Sequence, residues 1–472
     1  MRHLFALFAC LLFVSPFAEA QADRPPNIVL IFTDDQGYND VGCFGSPLIN
    51  TPHLDELARQ GTRFTDFYVS ASVCSASRAA LLTGTYNDRV DVPGVFFPNR
   101  KYEGLNPDEI TIAEVLKTKG YATACFGKWH LGDEPAFLPT RQGFDTYYGM
   151  PYSNDMTVNP TAAVAKDVVW REGMSLETMR DPKQKKKNWV PLLRDEEVVE
   201  YPADQRTVTK RYTEHTVAFM KANKDKPFFV YLPHTMPHIP LFVSEKFTNG
   251  NKQRGIYGDV IEEIDHSVGT IIATIKDLGL EENTIVIFTS DNGPWLRFGK
   301  TGGNAEPLRD GKFSIYEGGM RVPMIAWGPG HVAKGKTNSE IAATIDLLPT
   351  FADYAGAKVP DDRVIDGKSI RDLLANKPGA KSPHEAYYYR TNGVRVGKWK
   401  LTLKNRSTVK NQPVGKLPAL YDLEADIAET NNLASKHPEI VKELAKLIEA
   451  HRTDIKATLR PRGKTKPNDA GR

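Results

Sequence analysis

Two short acidic segments of the sequence have the residue types of a metal site. Asp34 and Asp35 follow the apolar run NIVLIFT, and Asp291, Asn292 and Gly293 follow TIVIFTS. Neighbouring carboxylates at the end of a buried strand repel each other and lose hydration, and a bound cation offsets both costs. Three carboxylates and an amide oxygen form an oxygen-only ligand set, which suits Ca²⁺ or Mg²⁺ rather than Zn²⁺. Either segment alone is also explained as a cap of a helix or turn, but the two together favour a metal.

A lone cysteine, Cys74, opens the segment CSASRAALLTG, in which Arg78 follows one helical turn later. Small polar residues followed by Ala-Ala-Leu-Leu predict a helix that begins near Cys74 and stops at Gly84. The macrodipole at a helix N-terminus favours negative charge, so a thiolate at Cys74 would be a good nucleophile. Thiolates prefer soft metals, however, and the expected neighbouring ligands are hard oxygens. This mismatch indicates that the sulfur is replaced before the site works.

Lysine and histidine side chains follow other apolar runs. The segment GKWH contains Lys128 and His130, PHTMPH contains His234 and His238, and RDGKFSIYEGG contains Lys312. Each residue taken singly has a structural explanation, as a hydrogen-bonded core histidine or a solvated lysine. Together with the acidic residues they predict a site with one cation-binding rim and one anion-binding rim. A divalent metal with lysine and histidine donors suits the transfer of a sulfuryl or phosphoryl group, because negative charge grows on the displaced oxygens.

The elements that must position these residues are short apolar strands alternating with helices. Strands are predicted in NIVLIFTDDQG, YATACFGKWHLG, PFFVYLPHTMPH, NTIVIFTSDNG and VPMIAWGPG. Helices are predicted from Thr51-Pro52 to Gly61, in DEITIAEVLKTKG and in DVIEEIDHSVGTIIATIKDLG. Continuous apolar strands indicate a buried parallel sheet with helices on both faces, an α/β fold. Ligands of such sheets bind beyond the carboxyl ends of the strands, where most of the candidate residues lie.

The pattern changes near residue 380. The segment HEAYYYRTNGVRVGKWKLTL alternates in polarity and has a turn signal at Asn392-Gly393, which predicts a hairpin. An amphipathic helix follows, with an apolar stripe formed by Ile440, Leu444, Leu447 and Ile448. We therefore expect a small antiparallel sheet with a covering helix. The predicted organisation is a signal peptide at 1–20, a catalytic domain at 21–380, a C-terminal subdomain at 381–460 and a disordered tail at 461–472.

The N-terminus has the layout of a secretory signal peptide. Arg2 and His3 precede the apolar run LFALFACLLFV, and a small-residue cleavage pattern ends at Ala20. The run is too short to span a bilayer comfortably, so we expect an exported protein, periplasmic or secreted, without stable membrane insertion. The formal net charge of +3 is too weak to indicate nucleic acid or a membrane surface as a partner.

Three cysteines remain after cleavage at Ala20, namely Cys43, Cys74 and Cys125. An odd number of cysteines in an exported chain indicates a reactive or modified thiol. Cys43 and Cys125 either pair with each other or are simply buried, and burial is favoured.

The sequence resembles the type I sulfatases of the arylsulfatase A-like branch of the alkaline phosphatase superfamily. The matching segments occur in the family's order: NIVLIFTDDQGYNDVGCFG, TPHLDELARQGTRFTDFY, CSASRAALLTG, GKWHLG, PTRQGFDTYYGMPYSND, FTSDNG and LYDLEADIAETNNLA. The motif Cys-x-Pro/Ala-x-Arg followed by Leu-Thr-Gly is highly specific, and this chain has Ala76 where many relatives have proline. The resemblance implies an alkaline phosphatase-like fold, with a large, mixed, mostly parallel sheet between helices and a smaller C-terminal antiparallel sheet plus helix.

The resemblance also implies a nucleophile and a cofactor. A formylglycine-generating enzyme or a radical maturation enzyme would oxidise Cys74 to formylglycine, whose hydrate presents a hard oxygen to the metal. Asp34, Asp35, Asp291 and Asn292 would hold Ca²⁺, with Mg²⁺ as the alternative, together with this oxygen. Asp291 would also take a proton from the attacking hydroxyl.

Further roles follow from the same resemblance. Arg78 would hold the hydrate, and His234 would protonate the leaving alcohol. His130 would remove the proton of the remaining hydroxyl, which expels sulfate and restores the aldehyde. His238 is expected to touch the substrate. The sulfate oxygens would be bound by Lys128, His234 and Lys312.

These inferences predict a sulfate-ester hydrolase acting on a sulfated sugar or an aryl sulfate. The first alternative is a phosphodiesterase or phosphonate monoester hydrolase of the neighbouring branch, which can share the formylglycine. The second alternative is a catalytically silent glycan-binding relative, which would normally lack a metal ligand or the nucleophile. Every position that can be matched is filled in this chain. The sequence leaves the natural substrate and the oligomeric state open.

Overall fold

The computed structural model describes residues 24–98, 102–181, 188–409 and 413–466. Within them the strands β1 to β19 are Asn27–Thr33, Thr62–Phe64, Phe67–Tyr68, Glu103–Gly104, Ala122–Phe126, Thr146–Gly149, Ala163–Trp170, Leu192–Arg194, Glu197–Tyr201, Phe228–Pro233, Thr284–Ser290, Met324–Trp327, Lys336–Asn338, Ala342–Ala343, Tyr387–Tyr388, Gly393–Val396, Trp399–Thr402, Ala419–Asp422 and Gly463–Lys464. The helices α1 to α10 are Pro52–Gln60, Cys74–Thr83, Ile112–Lys117, Leu176–Arg180, Val208–Ala222, Ile256–Asp277, Glu317–Met320, Leu347–Ala355, Arg371–Leu374 and Pro438–Ala457.

One 11-stranded sheet runs through the molecule in the order β13-β2-β12-β11-β1-β10-β5-β6-β8-β9-β7. Its centre is parallel, because β1 pairs with β11 on one side and with β10 on the other, and β10 pairs with β5. Thr33 at the end of β1 lies opposite Ser290 at the end of β11, so Asp34 and Asp291 leave the sheet at the same edge. The predicted large, mostly parallel sheet is thus confirmed, and its carboxyl edge collects the polar strand ends.

Helices cover both faces of this sheet. Ile28, Leu30 and Phe32 of β1 belong to an apolar cluster with α2, α3 and α8. Val29 and Ile31, which alternate with them, belong to a second cluster with α1, α5 and α6. Strand side chains point alternately to opposite faces, so a strand covered on both sides needs a continuous apolar run. This requirement explains the pattern NIVLIF.

The predicted helices are present, with one shortened. Helix α1 begins at Pro52 and ends before Gly61, as predicted. The helix expected in DEITIAEVLKTKG is confined to α3, because Thr111 and Glu114 form a capping box that fixes its start.

One strand runs in the direction opposite to the prediction. The segment VPMIAWGPG is predicted as part of a parallel sheet, but β12 pairs antiparallel with both β11 and β2. Met324 lies opposite Thr289 near the carboxyl edge, and Trp327 lies opposite Val286 further away. An apolar run predicts a buried strand and carries no information about its direction.

The C-terminal part contains the predicted small antiparallel sheet, in the order β15-β16-β17-β18, with α10 packed against it. The hairpin expected at Asn392-Gly393 is the one that joins β15 to β16. The core between sheet and helix includes Val394, Leu401, Leu420, Leu444 and Ile448.

A buried charged cluster connects this C-terminal sheet to α7. Lys400 of β17 lies 2.8 Å from carboxylate oxygens of both Glu317 and Glu429. The backbone amide of Glu317, the first residue of α7, donates to Glu429 at 2.6 Å. All three side chains are fully buried. The segment that carries Lys312 ends at α7, whose first residue is Glu317, so this cluster fixes the end of that segment.

The prediction of a disordered tail at 461–472 is wrong over its first residues. Strand β19 pairs antiparallel with β4, and Arg462 forms ion pairs with Asp91 and Glu103. Polar composition indicated disorder, but these polar residues have ionic partners elsewhere in the fold. Residues 467–472 lie outside the described part of the chain.

The predicted signal peptide at 1–20 also lies outside the described residues. Among the helices that the structure describes, none combines the length and apolarity that crossing a bilayer requires. Cys43 and Cys125 are free thiols, Cys125 buried and Cys43 partly buried, so the favoured expectation that they do not pair is confirmed.

Candidate active site

Four ligand groups meet at the carboxyl edge of the sheet. Ligand atoms of Asp34, Asp35, Cys74 and Asp291 all lie within 4.8 Å of one another, and all four residues are buried. The Cys74 thiol donates to Asp34 Oδ1 at 3.3 Å, and the Asp35 amide donates to Asp291 Oδ1 at 3.1 Å. Asp35 has a φ of 62°, a left-handed conformation that costs a non-glycine residue energy and needs support from its surroundings. We call the three carboxylates the acidic cluster.

Asn292 completes an oxygen ligand set around the acidic cluster. Its Nδ2 donates to Asp35 Oδ1 at 2.7 Å. Its Oδ1 is buried and has no hydrogen-bond partner among the residues described. A buried amide oxygen without a partner, next to three carboxylates, is costly unless a cation binds there. The donor set therefore fits a hard divalent ion held by Asp34, Asp35, Asp291 and Asn292.

Burial and neighbouring charges together drive the pKa values in the acidic cluster apart. Burial raises the pKa of Asp35, and burial with the neighbouring charge of Asp34 raises the pKa of Asp291 to about 7. Burial acts in the same direction on Asp34, but nearby cationic groups, Lys128 first, outweigh it and hold the pKa of Asp34 well below its usual range. Carboxyls with such divergent pKa values in one cluster are typical of functional sites.

Cys74 is the first residue of α2, as predicted, and every residue of that helix is buried. Burial, together with the charges of Asp291 and Asp34, raises the pKa of the Cys74 thiol well above its usual value. Burial and these two charges therefore outweigh the helix macrodipole, and the thiolate expected from the helix N-terminus is disfavoured. A neutral thiol is a poor nucleophile, which agrees with the interpretation that the sulfur is replaced.

Arg78, one turn further along α2, binds the acidic cluster. Its Nη2 and Nε donate to Asp291 Oδ2 at 2.8 and 3.2 Å, and its Nη1 donates to the carbonyl oxygen of Lys128 at 2.9 Å. The guanidinium is fully buried, so this charge-assisted pair fixes Asp291 relative to the helix that carries Cys74.

Two lysines flank the acidic cluster. Lys128 Nζ forms a buried ion pair with Asp34 and donates to Ser153 Oγ at 3.1 Å. Lys312 Nζ lies 2.7 Å from Asp35 Oδ2 and 3.5 Å from the thiol sulfur of residue 74. The structure thus brings both predicted anion-binding lysines to the acidic cluster.

His130 is a buried neutral base with one free nitrogen. Its Nε2 lies 3.1 Å from the carbonyl oxygen of Phe96, and its Nδ1 has no hydrogen-bond partner in the described part of the chain. Burial, with the charge of Lys128, lowers the pKa of His130 well below its usual value. A carbonyl only accepts, so Nε2 carries the hydrogen and Nδ1 is free to take a proton.

The two histidines of PHTMPH lie on different sides of the sheet edge. His238 Nε2 lies 3.6 Å from Asp35 Oδ2 and 3.2 Å from Ser153 Oγ, and its Nδ1 lies 3.1 Å from Asn154 Oδ1. Burial and the charge of Lys312 lower the pKa of His238 to about 3. This histidine therefore belongs to the site.

The structure does not bring His234 to the acidic cluster, which corrects the prediction that it binds sulfate and protonates the leaving group. Its Nε2 lies 3.5 Å from Ser267 Oγ of α6, and burial alone lowers its pKa to about 3. His234 continues the alternation of β10 onto the face of Val230 and Leu232, which α6 covers. The chain reaches the acidic cluster only four residues later.

Ser153, Asn154 and Trp295 are site residues to which the sequence analysis assigned no role. Ser153 and Asn154 follow β6, the strand next to β5, so their position after a strand was a usable signal. The Trp295 ring lies 4.5 Å from Lys312 Nζ and 5.6 Å from the ring of His238. No pattern in the sequence distinguishes this tryptophan from a core residue.

An oxygen ligand set for a hard cation, two ammonium groups and two neutral imidazoles therefore surround residue 74. Such groups bind the oxygens of a tetrahedral ester and stabilise the charge that develops when it is cleaved. The fold and the site define a hydrolase of alkaline phosphatase-like α/β architecture that acts on oxyanion esters.

Comparison with known proteins narrows the class. The Sulfatase family model matches residues 26–357, and the model for the N-sulphoglucosamine sulphohydrolase C-terminal region matches residues 309–454. The chain is 39% identical to arylsulfatase A of Homo sapiens over 461 aligned residues, covering 90% of this chain and 87% of that protein. It is 36% identical to N-acetylgalactosamine-6-sulfatase of Rattus norvegicus over 410 residues, covering 81% and 72%.

A solved structure agrees with these relatives. The crystal structure of Ps i-CgsB in complex with k-i-k-neocarrahexaose aligns with a TM-score of 0.74 and 31% identity, covering 90% of this chain and 92% of that one. The chain belongs to the sulfatase family. It is an enzyme that hydrolyses sulfate esters, as the sequence analysis predicted.

Proposed function

We propose that this sulfatase removes sulfate from a sulfated carbohydrate, with a formylglycine made from Cys74 as its nucleophile and Ca²⁺ as its metal. One relative is named for N-acetylgalactosamine-6-sulfate, and one similar structure holds neocarrahexaose, which supports a carbohydrate substrate. The observation that carries the proposal is the convergence on residue 74, whose sulfur lies 3.3 Å from Asp34 and 3.5 Å from Lys312.

Ca²⁺ would be held by Asp34, Asp35, Asp291 and Asn292. When bound, the ion polarises a sulfate oxygen and stabilises negative charge on it. Residue 74, as hydrated formylglycine, would supply two hydroxyls: one to attack sulfur as the alcohol leaves, and a second whose deprotonation would release the sulfate.

The protein's own side chains move the protons. Asp291, which Arg78 holds in position, takes the proton of the attacking hydroxyl. The free Nδ1 of His130 takes the proton of the second hydroxyl. Lys128 and Lys312 bind the sulfate oxygens.

His238 protonates the leaving alcohol in this proposal, in place of His234. Its Nε2 is directed at the acidic cluster, and Asn154 holds its Nδ1. Burial lowers the pKa of the free ring to about 3, and a bound sulfate raises it, because a neighbouring negative charge favours the protonated form. Ser153 bridges His238 and Lys128, so it positions both groups around one sulfate.

The proposal includes export. Residues 1–20 would be removed as a signal peptide and the mature protein would act in a periplasm or outside the cell, after a formylglycine-generating or radical maturation enzyme has modified Cys74. The division into a catalytic domain at 21–380 and a C-terminal subdomain at 381–460 remains part of this proposal.

The direct test measures which substrates the protein hydrolyses and whether residue 74 is modified. The purified protein is assayed with 4-nitrophenyl sulfate, with bis(4-nitrophenyl) phosphate and with sulfated sugars of defined position, and the peptide that contains residue 74 is analysed by mass spectrometry. We expect an aldehyde or its hydrate at residue 74, with release of inorganic sulfate from the sugars. A modified residue 74 with turnover of the phosphodiester alone would refute the proposal.

A further inference from the structure

An aromatic surface that the proposed mechanism does not use lies beside the sulfate-binding groups. The ring centroid of Trp295 lies 4.9 Å from that of Phe298 and 5.4 Å from that of Phe313, both in edge contacts. Phe298 is 39% exposed, and the other two side chains are partly exposed. Apolar side chains grouped at the surface indicate a binding site more often than single ones do. We call Trp295, Phe298 and Phe313 the aromatic platform.

The aromatic platform is continuous with the catalytic groups. Lys312 Nζ lies 4.5 Å from the centroid of the Trp295 ring, and the His238 ring lies 5.6 Å from it. Lys312 contacts residue 74, and His238 is assigned to the oxygen of the leaving alcohol. In the proposed mechanism, the group bonded to that oxygen is therefore placed near Trp295.

A cation from the C-terminal part borders the aromatic platform. Arg406 Nε donates to the carbonyl oxygen of Phe313 at 2.6 Å, and its Cζ lies 5.1 Å from the Phe313 ring centroid. Arg406 is exposed, and in the described part of the chain it has no ion pair. Residues 294–304 contain Arg297 and Lys300 and no carboxylate, and residues 399–409 contain none either. The carboxylate of Asp310, on the segment that carries Phe313, is buried and accepts hydrogen bonds from Thr408. This surface is complementary to an anion.

We infer that the aromatic platform and Arg406 form a subsite for two linked sugars, one whose ring packs on Trp295 and a neighbour whose sulfate or carboxylate binds Arg406. The inference rests on the proposed function and names its substrate as a multiply anionic glycan. The negative face of an aromatic ring attracts the polarised C–H groups of a sugar. The positive charge of Arg406 attracts an oxyanion and donates a charge-assisted hydrogen bond to it, an interaction that a monosulfated aryl ester cannot use at a second position.

The test compares two substrates in the matured enzyme, a disulfated oligosaccharide and 4-nitrophenyl sulfate. Arg406→Gln is expected to lower kcat/KM for the oligosaccharide about tenfold, the effect of one lost charge-assisted hydrogen bond, and to change the aryl sulfate less than about twofold. Arg406→Lys keeps the charge and is expected to retain most of the oligosaccharide activity. Phe298→Ala is expected to lower only the oligosaccharide value, through KM.

The matched control is Lys334→Gln, which removes an exposed positive charge beyond β12, on the side of the sheet away from the acidic cluster. It should change neither substrate. Added NaCl should raise the KM of the wild type for the oligosaccharide, and less so in Arg406→Gln, because salt screens exposed charges. An Arg406→Gln enzyme that loses both substrates equally, or neither, overturns the subsite, and so does an Arg406→Lys enzyme as poor as Arg406→Gln. An inactive wild type with modified residue 74 would instead refute the proposed function.

Discussion

Lys312 Nζ lies 3.5 Å from the Cys74 sulfur, although 238 residues separate the two in the chain. The backbone sets this contact, because the amide of Phe313 donates to the carbonyl oxygen of Ser72 at 2.9 Å. Phe313 itself has a φ of 74°, a conformation that a bulky residue adopts only where its surroundings enforce it. The proposed nucleophile position and the proposed sulfate-binding cation are therefore fixed relative to each other before the substrate binds.

Cys74→Ala is expected to abolish sulfate release, because no formylglycine can form. Cys74→Ser is also expected to be inactive, provided that only cysteine is processed. The matched control is Cys43→Ala, which removes a partly buried thiol whose pKa burial raises to about 12, and it should keep activity within about twofold. Free sulfate and the mass of the residue-74 peptide are measured together. Wild-type activity in Cys74→Ala would exclude this residue as the nucleophile.

Removal of divalent ions with EGTA is expected to lower both activity and Tm, because the acidic cluster loses its counter-ion. Added Ca²⁺ should restore both. Asn292→Ala should raise the Ca²⁺ concentration for half-maximal activity about tenfold or more, since it removes the unpartnered amide oxygen. Asn283→Ala is the control, because Asn283 precedes β11 at the opposite edge of the sheet and bonds Arg24. Activity and Tm that stay unchanged when EGTA or Ca²⁺ is added would contradict the metal site.

His238→Ala and His234→Ala test the corrected assignment as a pair. His238→Ala should lower kcat about 100-fold on a sugar sulfate and less than about tenfold on 4-nitrophenyl sulfate, because an acidic phenol needs little protonation as it leaves. His234→Ala should lower Tm through the lost packing against α6 and leave the ratio of the two rates unchanged. Equal losses on both substrates in His238→Ala would remove its role as general acid.

Glu429 is expected to make folding stability depend on pH. Burial, followed by the opposing effect of Lys400 and the charge of Glu317, leaves the pKa of Glu429 raised from 4.5 to about 7. A carboxyl with a raised pKa binds more protons when folded, so its stabilisation is present below about pH 4.5 and is lost as the pH rises to about 7. Glu317, whose pKa is lowered to about 2, titrates below this window.

Glu429→Gln should therefore stabilise the protein more at about pH 7.5 than at about pH 5, relative to the wild type. Urea unfolding at both pH values measures the difference. Glu443→Gln, at an exposed position of α10, should show no such pH dependence. A Glu429→Gln variant whose free energy of unfolding differs from the wild type by the same amount at both pH values would contradict the assignment.

The sheet and its acidic edge could be predicted from the sequence because residue type and period act locally. An uninterrupted apolar run followed by Asp34 or by Asp291 is readable without knowing the partner strand. The direction of β12 was not readable, since it depends on pairing with β2 and β11. The same limit explains Trp295, whose neighbours come from distant segments.

The choice between His234 and His238 shows where local reasoning ends. Both follow the same strand, but period-two alternation carries His234 to the face that α6 covers, and only the register decides which histidine meets Asp35. The charge state of Cys74 likewise could not be predicted from the sequence. A helix N-terminus favours a thiolate, but burial of Cys74 and then the charges of Asp291 and Asp34 reverse the preference.

The buried charged cluster at Lys400 limits which C-terminal segments of other sulfatases can replace the one in this enzyme. A segment beginning near residue 380 and grafted from another sulfatase would have to bring a cation to the position of Lys400. Without it, Glu317 would lose its nearest cation and keep Arg321, at 3.5 Å, as an ion-pair partner, so the buried carboxylate behind the loop of Lys312 would be less stabilised. Chimeras made to change substrate range should therefore inherit Glu317 and Lys400 from the same parent.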